Sequence, residues 1–377
     1  MRPAFKKTLR PIIRKGQVIE INYHGTATEI DDPDGNIYEL LELLDGSRSI
    51  SEIANHLNLP IEDIEDAIIF LNELHYIEDT SVPKTYSPTE LDRYQANLNY
   101  FSGYANLDVS RFSFQDKLKD AKIAILGLGG GSLAAAYLAG LGVGEIVGLD
   151  YDKVERTNLN RQFLYNEDDI GRLKSEVAEE KIKKINPEIS VKMYNQKVGS
   201  YEDLLDILDG ADAVINALDQ PAIISARWVN AACVKLGIPF YRGGINNQSI
   251  MWERINPLNQ EPCYDCKILY SLESDHETVY RLESGYGKTF SGVNTGFAPN
   301  LSILIGLFIS DIVNLITGAA PLFKPNITVD TILMNTLQSE NEKPDRHPDC
   351  PTCSNQFNEM ASIEHLKQIV FGKGALQ

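Results

Sequence analysis

Four glycines stand within five residues after a short apolar run about a third of the way along the chain. The run is Ile123–Leu126, and the glycines are Gly127, Gly129, Gly130 and Gly131. Short β-branched runs that end at glycine are typical of buried parallel strands. A glycine-rich turn that opens a helix brings backbone N–H groups and a partial positive charge close to a phosphate. The spacing therefore predicts a nucleotide-binding βαβ unit, although many hydride-transfer enzymes share this turn.

Charged and amide side chains follow the next apolar run, Glu145–Leu149. Asp150 ends that predicted strand, where a carboxylate accepts hydrogen bonds from a ribose. The segment beyond it carries the other candidate nucleotide-site residues: Asp152, Asn158, Arg161, Gln162 and Lys174. An enzyme that attacks the α-phosphate of ATP needs cations such as Arg161 and Lys174, because negative charge builds on departing pyrophosphate. The alternative is that both cations are solvated surface charges.

The segment DYDKVERTNLNRQFLYNEDDIGRLKSE resembles the ThiF/MoeB-like enzymes of the ubiquitin-activating superfamily, which adenylate carboxylates. The resemblance extends over roughly residues 90 to 355 and its motifs are specific. It implies that Asp150 holds the ribose of ATP, and it implies a two-fold dimer. The residues that would surround the triphosphate are Asn158, Arg161, Gln162 and Lys174.

Asp219 follows another apolar run in the segment AVINALDQ. It matches the acid with which the resembled family holds Mg²⁺. It also lies at the carboxyl end of a predicted strand, where open α/β sheets bind ligands. We therefore predict catalytic roles for three residues: Arg161, Lys174 and Asp219. The alternative is that Asp219 caps a helix that begins near Pro221.

One position departs from the family pattern. Arg93 and Tyr94 resemble the start of an Arg-Tyr-x-Arg-Gln signature whose second arginine often reaches ATP across the dimer, but Ala96 stands in its place. Either Arg93 substitutes for it, or another cation such as Arg111 or Lys117 does, or the ATP chemistry differs from simple adenylation.

Four of the five cysteines form two CxxC pairs: Cys263 with Cys266, and Cys350 with Cys353. In a cytoplasmic chain, two such pairs more often hold one Zn²⁺ ion than form disulfides. Four thiolates would fill a tetrahedral shell and leave no position for water, so we predict a structural metal. His347 could compete as a ligand, and Cys233 is expected to be a buried thiol.

The segment between the two cysteine pairs, residues 270–297, contains no cysteine. In the resembled superfamily this crossover carries the catalytic cysteine when a thioester forms. Its absence here favours direct chemistry on an activated acyl group. Arg281 and Lys288 are candidates for gripping the substrate, and a solvated loop is the alternative.

Residues 1–85 are predicted to form a separate winged-helix-like α+β domain. Gln17–Tyr23 and Gly25–Ile30 fit a hairpin, and Asn36–Leu44 fits a helix. Two further helices follow, with apolar residues at three- and four-residue spacing. Their acidic surface would repel nucleic-acid phosphates, so the expected use is capture of a peptide as an added strand. The alternative is a dimerisation or stabilising appendage.

Net charge and apolar content restrict the partners. The net charge of −18 argues against nucleic acid and anionic membranes, which favour a basic face. The start of the chain lacks the apolar core of a signal peptide. The apolar run Leu301–Thr317 includes Asp311 and Asn314, which favours a buried core helix over a membrane span. We therefore expect a cytoplasmic protein.

These features predict an α/β fold: a Rossmann-like doubly wound sheet with structural zinc in residues 86–377, preceded by the winged-helix-like domain. The combination resembles the precursor-peptide-modifying enzymes of microcin C and pantocin A biosynthesis. That resemblance implies ATP and Mg²⁺ as cofactors beside Zn²⁺, and activation of a carboxylate or amide on a ribosomally made precursor peptide. Three alternatives stay open: adenylation of a ubiquitin-like sulfur carrier, a non-catalytic peptide-binding scaffold, and an NAD-dependent reductase.

Overall fold

The computed structural model describes residues 2–21, 27–259, 261–274, 276–289, 296–323, 329–342, 345–354 and 360–372. It divides into two compact units. The first comprises Met1–Leu118 with Thr317–Ala320, and the second comprises Lys119–Ile316 with Pro321–Gln377. Residues 86–118, which the sequence assigns to the ATP-binding domain, therefore fall within the first unit. That residues 1–85 act as a separate module stays a prediction.

The first unit contains five short strands and six helices among its described residues. In chain order they are β1 (Pro3–Phe5), β2 (Ile13–Lys15), β3 (Val18–Ile21), β4 (Thr28–Asp31), α1 (Asn36–Leu43), α2 (Ile50–Leu57), α3 (Ile61–Glu73), β5 (Ile77–Asp79), α4 (Pro88–Arg93), α5 (Gln95–Ser102) and α6 (Arg111–Asp120). β2, β3 and β4 form an antiparallel sheet with β3 in the middle, and β1 pairs with β5. Strand β3 buries Ile19 and Ile21 against the apolar sides of α1, α2 and α3. This is the small α+β domain that the sequence predicts.

Local signals set the helix starts in this unit. The Ser49 hydroxyl oxygen accepts a hydrogen bond from the backbone N–H of Glu52, and the Glu52 carboxylate accepts one from the backbone N–H of Ser49, which closes a capping box at the start of α2. Pro60 precedes α3, where its missing N–H costs no helical hydrogen bond. Both helix starts agree with the helices predicted from the sequence. Of the predicted hairpin, residues 22–26 lie outside the described residues.

The second unit contains a large sheet and its helices. Its elements are β6 (Lys122–Leu126), α7 (Gly131–Leu141), β7 (Glu145–Leu149), α8 (Lys174–Ile185), β8 (Ser190–Tyr194), α9 (Glu202–Leu208), β9 (Ala213–Asn216), α10 (Ile224–Leu236), β10 (Phe240–Ile245), β11 (Ser249–Ile255), α11 (Tyr264–Ser274), α12 (His276–Gly285), α13 (Ala298–Thr317), β12 (Val329–Leu333), β13 (Ser339–Glu342) and α14 (Ile363–Phe371). The strand order is β13-β12-β11-β10-β9-β6-β7-β8. Five neighbouring strands are parallel, in the spatial order β8, β7, β6, β9 and β10. Strands β11, β12 and β13 extend the sheet beyond β10 with antiparallel pairing. The predicted Rossmann-like α/β fold is confirmed.

Helix α13 is long and apolar enough, by length and composition, to cross a membrane, and no other helix in the described ranges is. However, 61% of its most apolar window is buried inside the protein. Its Asp311 is fully buried and accepts hydrogen bonds from Arg254 at 2.6 Å and from the Tyr241 hydroxyl at 2.9 Å. These partners lie on β10 and β11, so α13 packs on the sheet as a core helix, as the sequence predicts.

Candidate active site

The glycine-rich turn lies where the strand order of the sheet reverses. Strand β6 pairs with β7 on one side and with β9 on the other. After β6 the chain first adds β7 and β8 on one side, and then returns to add β9 and β10 on the other. Crevices in open α/β sheets form outside the carboxyl ends of strands at such a point, and ligands bind there. The fold therefore places the candidate site before any side chain is considered.

A cleft of about 300 Å³ opens at this position. All ten predicted nucleotide and catalytic residues line it: Gly127, Gly129, Gly130, Asp150, Asp152, Asn158, Arg161, Gln162, Lys174 and Asp219. The turn, the Asp150 segment and the end of β9 thus converge on one space. The role of each residue in that space stays a prediction.

No sequence motif indicates the apolar part of the same cleft. Its wall consists of Leu149, Val198, Leu218 and Trp228. These side chains come from separate elements, and only the folded sheet brings them together. An apolar wall opposite polar and charged groups suits a nucleotide, because a flat base packs against it while the phosphates meet the cations.

Gly127 can only be glycine at this turn. Its φ is +93°, in the left-handed region, and a Cβ atom there would lie 2.8 Å from the carbonyl oxygen of Ala217. We expect Gly127→Ala to lower the free energy of unfolding by about 2 kcal/mol or more and to weaken ATP binding. Urea denaturation and calorimetric titration with ATP measure the two effects.

Gly140 provides the matched control for that substitution. It lies inside α7, and a Cβ atom built on it meets nothing within 4 Å. Because alanine is the better helix former by about 1 kcal/mol, Gly140→Ala should keep or raise stability and leave ATP affinity unchanged. Wild-type ATP affinity in Gly127→Ala would contradict a phosphate-binding role for the turn.

Asp150 is held in place by the glycine turn itself. One carboxylate oxygen accepts the backbone N–H of Leu128 at 2.7 Å, and the other accepts that of Asp152 at 2.8 Å. Burial raises the pKa of the Asp150 carboxyl, and the nearby Lys174 ammonium and the two N–H groups oppose this rise. The oxygens keep further lone pairs, so a fixed carboxylate at the end of β7 can accept ribose hydroxyls.

Lys174 is the first residue of α8, and its side chain is only 7% exposed. The ammonium lies 3.4 Å from Asp152, whose side chain is 53% exposed. A helix N-terminus carries partial positive charge, so a buried lysine at this position is electrostatically unfavourable. The carboxylates of Asp150 and Asp152 offset this, and a ligand that brings negative charge would offset it further.

Three other predicted residues occupy the turn after β7. The carboxamide oxygen of Asn158 accepts the backbone N–H of Glu155 at 3.0 Å, which fixes its orientation. Gln162 is buried, and its Oε1 has no hydrogen-bond partner among the described residues. Arg161 is half-buried and donates from Nη1 to the Thr157 carbonyl oxygen at 2.9 Å. An unpaired buried oxygen on the cleft wall fits a site that a bound ligand completes.

Asp219 is exposed on the rim of the cleft, two residues beyond Ala217. The alternative that it caps a helix is wrong. Helix α10 begins at Ile224, and its N-cap residue, Ile223, makes no side-chain cap. An exposed carboxylate beside a phosphate site is the kind of oxygen ligand that Mg²⁺ takes together with substrate phosphates. The residues present therefore fit the predicted metal role.

The four paired cysteines come together in the second unit. The sulfurs of Cys263, Cys266, Cys350 and Cys353 all lie within 4.8 Å of one another. Three of the six separations between pairs of these sulfurs are 3.3, 3.6 and 3.9 Å. A tetrahedral Zn²⁺ ion with bonds of about 2.3 Å needs sulfurs about 3.8 Å apart, whereas a disulfide needs about 2.05 Å. The cluster therefore fits one zinc ion with four thiolate ligands.

Neighbouring residues complete the cysteine cluster. Arg346 donates from Nε to the Cys353 sulfur at 3.3 Å, which offsets thiolate charge. His347 is not a fifth ligand, because its Nε2 lies 3.0 Å from Glu273 and its Nδ1 accepts the backbone N–H of Asp349. Cys233 is fully buried away from the cluster, as expected.

A buried ion pair joins both cysteine pairs to α10, and the sequence did not reveal it. Arg227 pairs with Asp265 through two hydrogen bonds of 2.7 and 2.9 Å, and both side chains are fully buried. Asp265 lies inside the first CxxC pair. Thr352, inside the second pair, donates to the same carboxylate. A bidentate contact of this kind fixes α10, which contributes Trp228 to the cleft.

Two of the cations that could replace the arginine missing at Ala96 are already engaged in the first unit. Arg111 pairs with Glu78, whose carboxylate is buried. Lys117 donates to the carbonyl oxygen of Thr317 at 2.6 Å. The three alternatives for the position of Ala96, namely Arg93, another cation or a different ATP chemistry, stay predictions.

Residues 100–352 match the ThiF family. The sulfur carrier protein ThiS adenylyltransferase of Escherichia coli (strain K12) is 37% identical over 174 residues, which cover 43% of this chain and 68% of that protein. The molybdopterin-synthase adenylyltransferase of Salmonella typhimurium (strain LT2) is 32% identical over 156 residues, 41% of this chain and 61% of that protein.

Solved structures resemble nearly the whole chain. E. coli MccB with ATP has a TM-score of 0.73 and 26% identity, and the match covers 94% of this chain and 100% of MccB. The microcin C7 biosynthetic enzyme MccB in complex with N-formylated MccA has a TM-score of 0.74 at the same identity and coverage. Together with the cleft, these likenesses set aside an NAD-dependent reductase. The chain belongs to the ThiF family, and it is an ATP-dependent adenylyltransferase.

Proposed function

We propose that this enzyme adenylates a carboxylate or amide on a ribosomally made precursor peptide. The observation that supports the proposal is the cleft, which is lined by Arg161, Lys174 and Asp219 together with the glycine-rich turn. The likeness to MccB, which has been solved both with ATP and with N-formylated MccA, supports an acceptor of the same kind.

The residues of the cleft have different roles in the proposed reaction. The glycine turn and Asp150 hold the phosphates and the ribose, while Asp219 would hold Mg²⁺, which supplies charge neutralisation when bound. An oxygen or nitrogen of the acceptor attacks the α-phosphorus, and the bond from that phosphorus to the pyrophosphate oxygen breaks. Lys174 and Arg161 stabilise the negative charge that moves onto pyrophosphate. We place this reaction in the cytoplasm and in a two-fold dimer.

The first unit supplies the proposed binding surface for the rest of the peptide. In its three-stranded sheet, β3 is covered on one side by β2 and on the other by β4, and no described residue pairs with the outer edge of β4. An extended peptide can add to such an edge through backbone hydrogen bonds. Holding the peptide there would raise its concentration near the cleft.

Pyrophosphate exchange into ATP tests the proposed activity. Synthetic peptides encoded by short reading frames beside this gene are mixed with the enzyme, ATP and labelled pyrophosphate. We expect exchange only with the cognate peptide, because reversal of adenylation requires the acyl or amidyl adenylate. The proposal would be overturned if none of these peptides supported exchange and a ubiquitin-like sulfur carrier did.

Blocking the edge of β4 tests peptide capture. The backbone N–H of Asp32 points toward β3, where it donates to Gln17, so by alternation the N–H of Glu29 points outward. We expect Glu29→Pro to raise the KM for the peptide about tenfold or more and to leave the KM for ATP unchanged. Glu29→Ala, which keeps the N–H, is the control and should behave as wild type. An unchanged KM for the peptide in Glu29→Pro would contradict binding of the peptide at the edge of β4.

Activation of a ubiquitin-like sulfur carrier is the second candidate function. It is favoured by the 37% identity to the ThiS adenylyltransferase. The crossover without cysteine speaks against a thioester, but adenylation alone does not need one. Purified sulfur-carrier proteins in the same exchange assay separate this candidate from the peptide.

A further inference from the structure

A tyrosine behind the nucleotide cleft holds the carbonyl group of Leu128 in the middle of the glycine turn. The hydroxyl of Tyr165 donates to the Leu128 carbonyl oxygen at 2.8 Å. Tyr165 is only 4% exposed, and it is not among the residues that line the cleft. Burial and the nearby carboxylates of Asp150 and Asp169 raise the pKa of this hydroxyl, so it stays protonated and serves as a donor.

Both backbone groups of Leu128 are therefore held by side chains. Its N–H donates to Asp150 at 2.7 Å, and its carbonyl oxygen accepts the Tyr165 hydroxyl. The peptide bond between Leu128 and Gly129 is trans. In a planar trans peptide, the carbonyl and the N–H of the following residue point in opposite directions. The N–H of Gly129 consequently points away from the buried tyrosine.

That N–H is available to a ligand. Gly129 lines the cleft, and no group in the described ranges accepts a hydrogen bond from its N–H. It precedes the N-terminus of α7, where backbone N–H groups and partial positive charge favour a phosphate. Because glycine adopts positive and negative φ about equally, the peptide plane between Leu128 and Gly129 can rotate unless something fixes its carbonyl.

We propose that Tyr165 is a positioning residue of the nucleotide site, whose hydroxyl fixes the peptide plane that presents the N–H of Gly129 to a phosphate of ATP. The inference rests on the phosphate role that the proposed function gives to the glycine turn. Without the hydroxyl, this plane samples other orientations, and phosphate binding must first order it. The ribose contact is spared, because Asp150 keeps its hydrogen bonds from the N–H groups of Leu128 and Asp152.

Tyr165→Phe removes the hydroxyl and keeps the ring. The affinities of the full-length variant and wild type for ATP with Mg²⁺ are measured by calorimetric titration. Their affinities for adenosine, which lacks the phosphates, are measured by ligand-observed NMR. We expect the Kd for ATP to rise about tenfold, in line with the loss of one hydrogen bond to a charged group, and the Kd for adenosine to change by less than about twofold.

Tyr241→Phe is the matched control. Tyr241 is fully buried, and its hydroxyl donates to Asp311 at 2.9 Å, but it does not line the cleft. The substitution removes a buried tyrosine hydrogen bond without altering the glycine turn. We expect its Tm to fall while its affinities for ATP and adenosine both stay as in wild type, which separates lost stability from lost positioning.

The outcomes separate this inference from the phosphate role of the turn. If Tyr165→Phe keeps the wild-type preference for ATP over adenosine, the inference is overturned and the phosphate role stands. Equal weakening of both ligands, or failure of the variant to fold, would overturn the inference by showing that the hydroxyl serves the fold as a whole. If wild type binds ATP no more tightly than adenosine, the phosphate role and the inference both fall.

Discussion

Lys174→Met should lower the rate of adenylation by about a thousandfold or more while the protein remains folded. The ammonium is buried at the positive end of α8 and lies 3.4 Å from a half-exposed carboxylate. Burial and the helix dipole oppose a cation there, whereas the ammonium offsets the charge of buried Asp150 and of Asp152, so the two effects on stability partly cancel. Removing it costs the reaction much, because the charge on departing pyrophosphate loses its nearest fixed partner. The kinetics of pyrophosphate exchange measure the loss of rate, and urea denaturation measures the change in stability.

The same helix provides the control for Lys174. Lys183 is half exposed and pairs with Glu179 one turn away, so Lys183→Met should leave the rate and, within about 0.5 kcal/mol, the stability unchanged. A slow but strongly destabilised Lys174→Met protein would show that the lysine is structural. A fast and stable one would show that it does not face the phosphates.

Cys266→Ser should cost the second unit its metal and much of its stability. Four cysteine sulfurs lie within 4.8 Å of one another, and an ion bound by all four would tie residues 263–266 to residues 350–353. Zinc binding to such sites contributes folding free energy directly, so we expect a loss on the order of 5 kcal/mol or more. Elemental analysis should find about one zinc per chain in wild type and far less in the variant, whose Tm should fall by more than about 10 °C.

Cys233→Ser distinguishes loss of a ligand from loss of a buried thiol. Cys233 is equally buried but lies outside the cluster, so its replacement should keep the zinc content and cost only about 1–3 kcal/mol. Full stability of Cys266→Ser, or of wild type stripped by a chelator, would refute a structural metal.

Much of the nucleotide cleft could be predicted because its residues follow local rules. A parallel strand, a glycine turn and an acid at the end of the next strand each leave a short signature. The structure places β6 and β7 at Lys122–Leu126 and Glu145–Leu149, within one residue of the predicted bounds. The resemblance to the ThiF/MoeB-like enzymes added Asn158, Gln162 and Asp219 to the predicted site, and all three line the cleft.

Features that depend on contacts between distant segments were not predictable. Strands β1 and β5 have three residues each and exist only because they pair with one another, so neither has a periodic pattern of its own. The Arg227–Asp265 pair joins residues on different helices, and nothing in the local sequence marks either as buried. The same holds for Arg242, whose neighbours Glu253 and Lys267 come from β11 and α11.

A crystal structure of the enzyme with ATP would test the central claim most directly. The account predicts the triphosphate over the glycine turn, with the Lys174 ammonium within about 3 Å of a phosphate oxygen and the Arg161 guanidinium turned from Thr157 toward the same group. A nucleotide bound in the cleft with both cations pointing away from its phosphates would contradict the account.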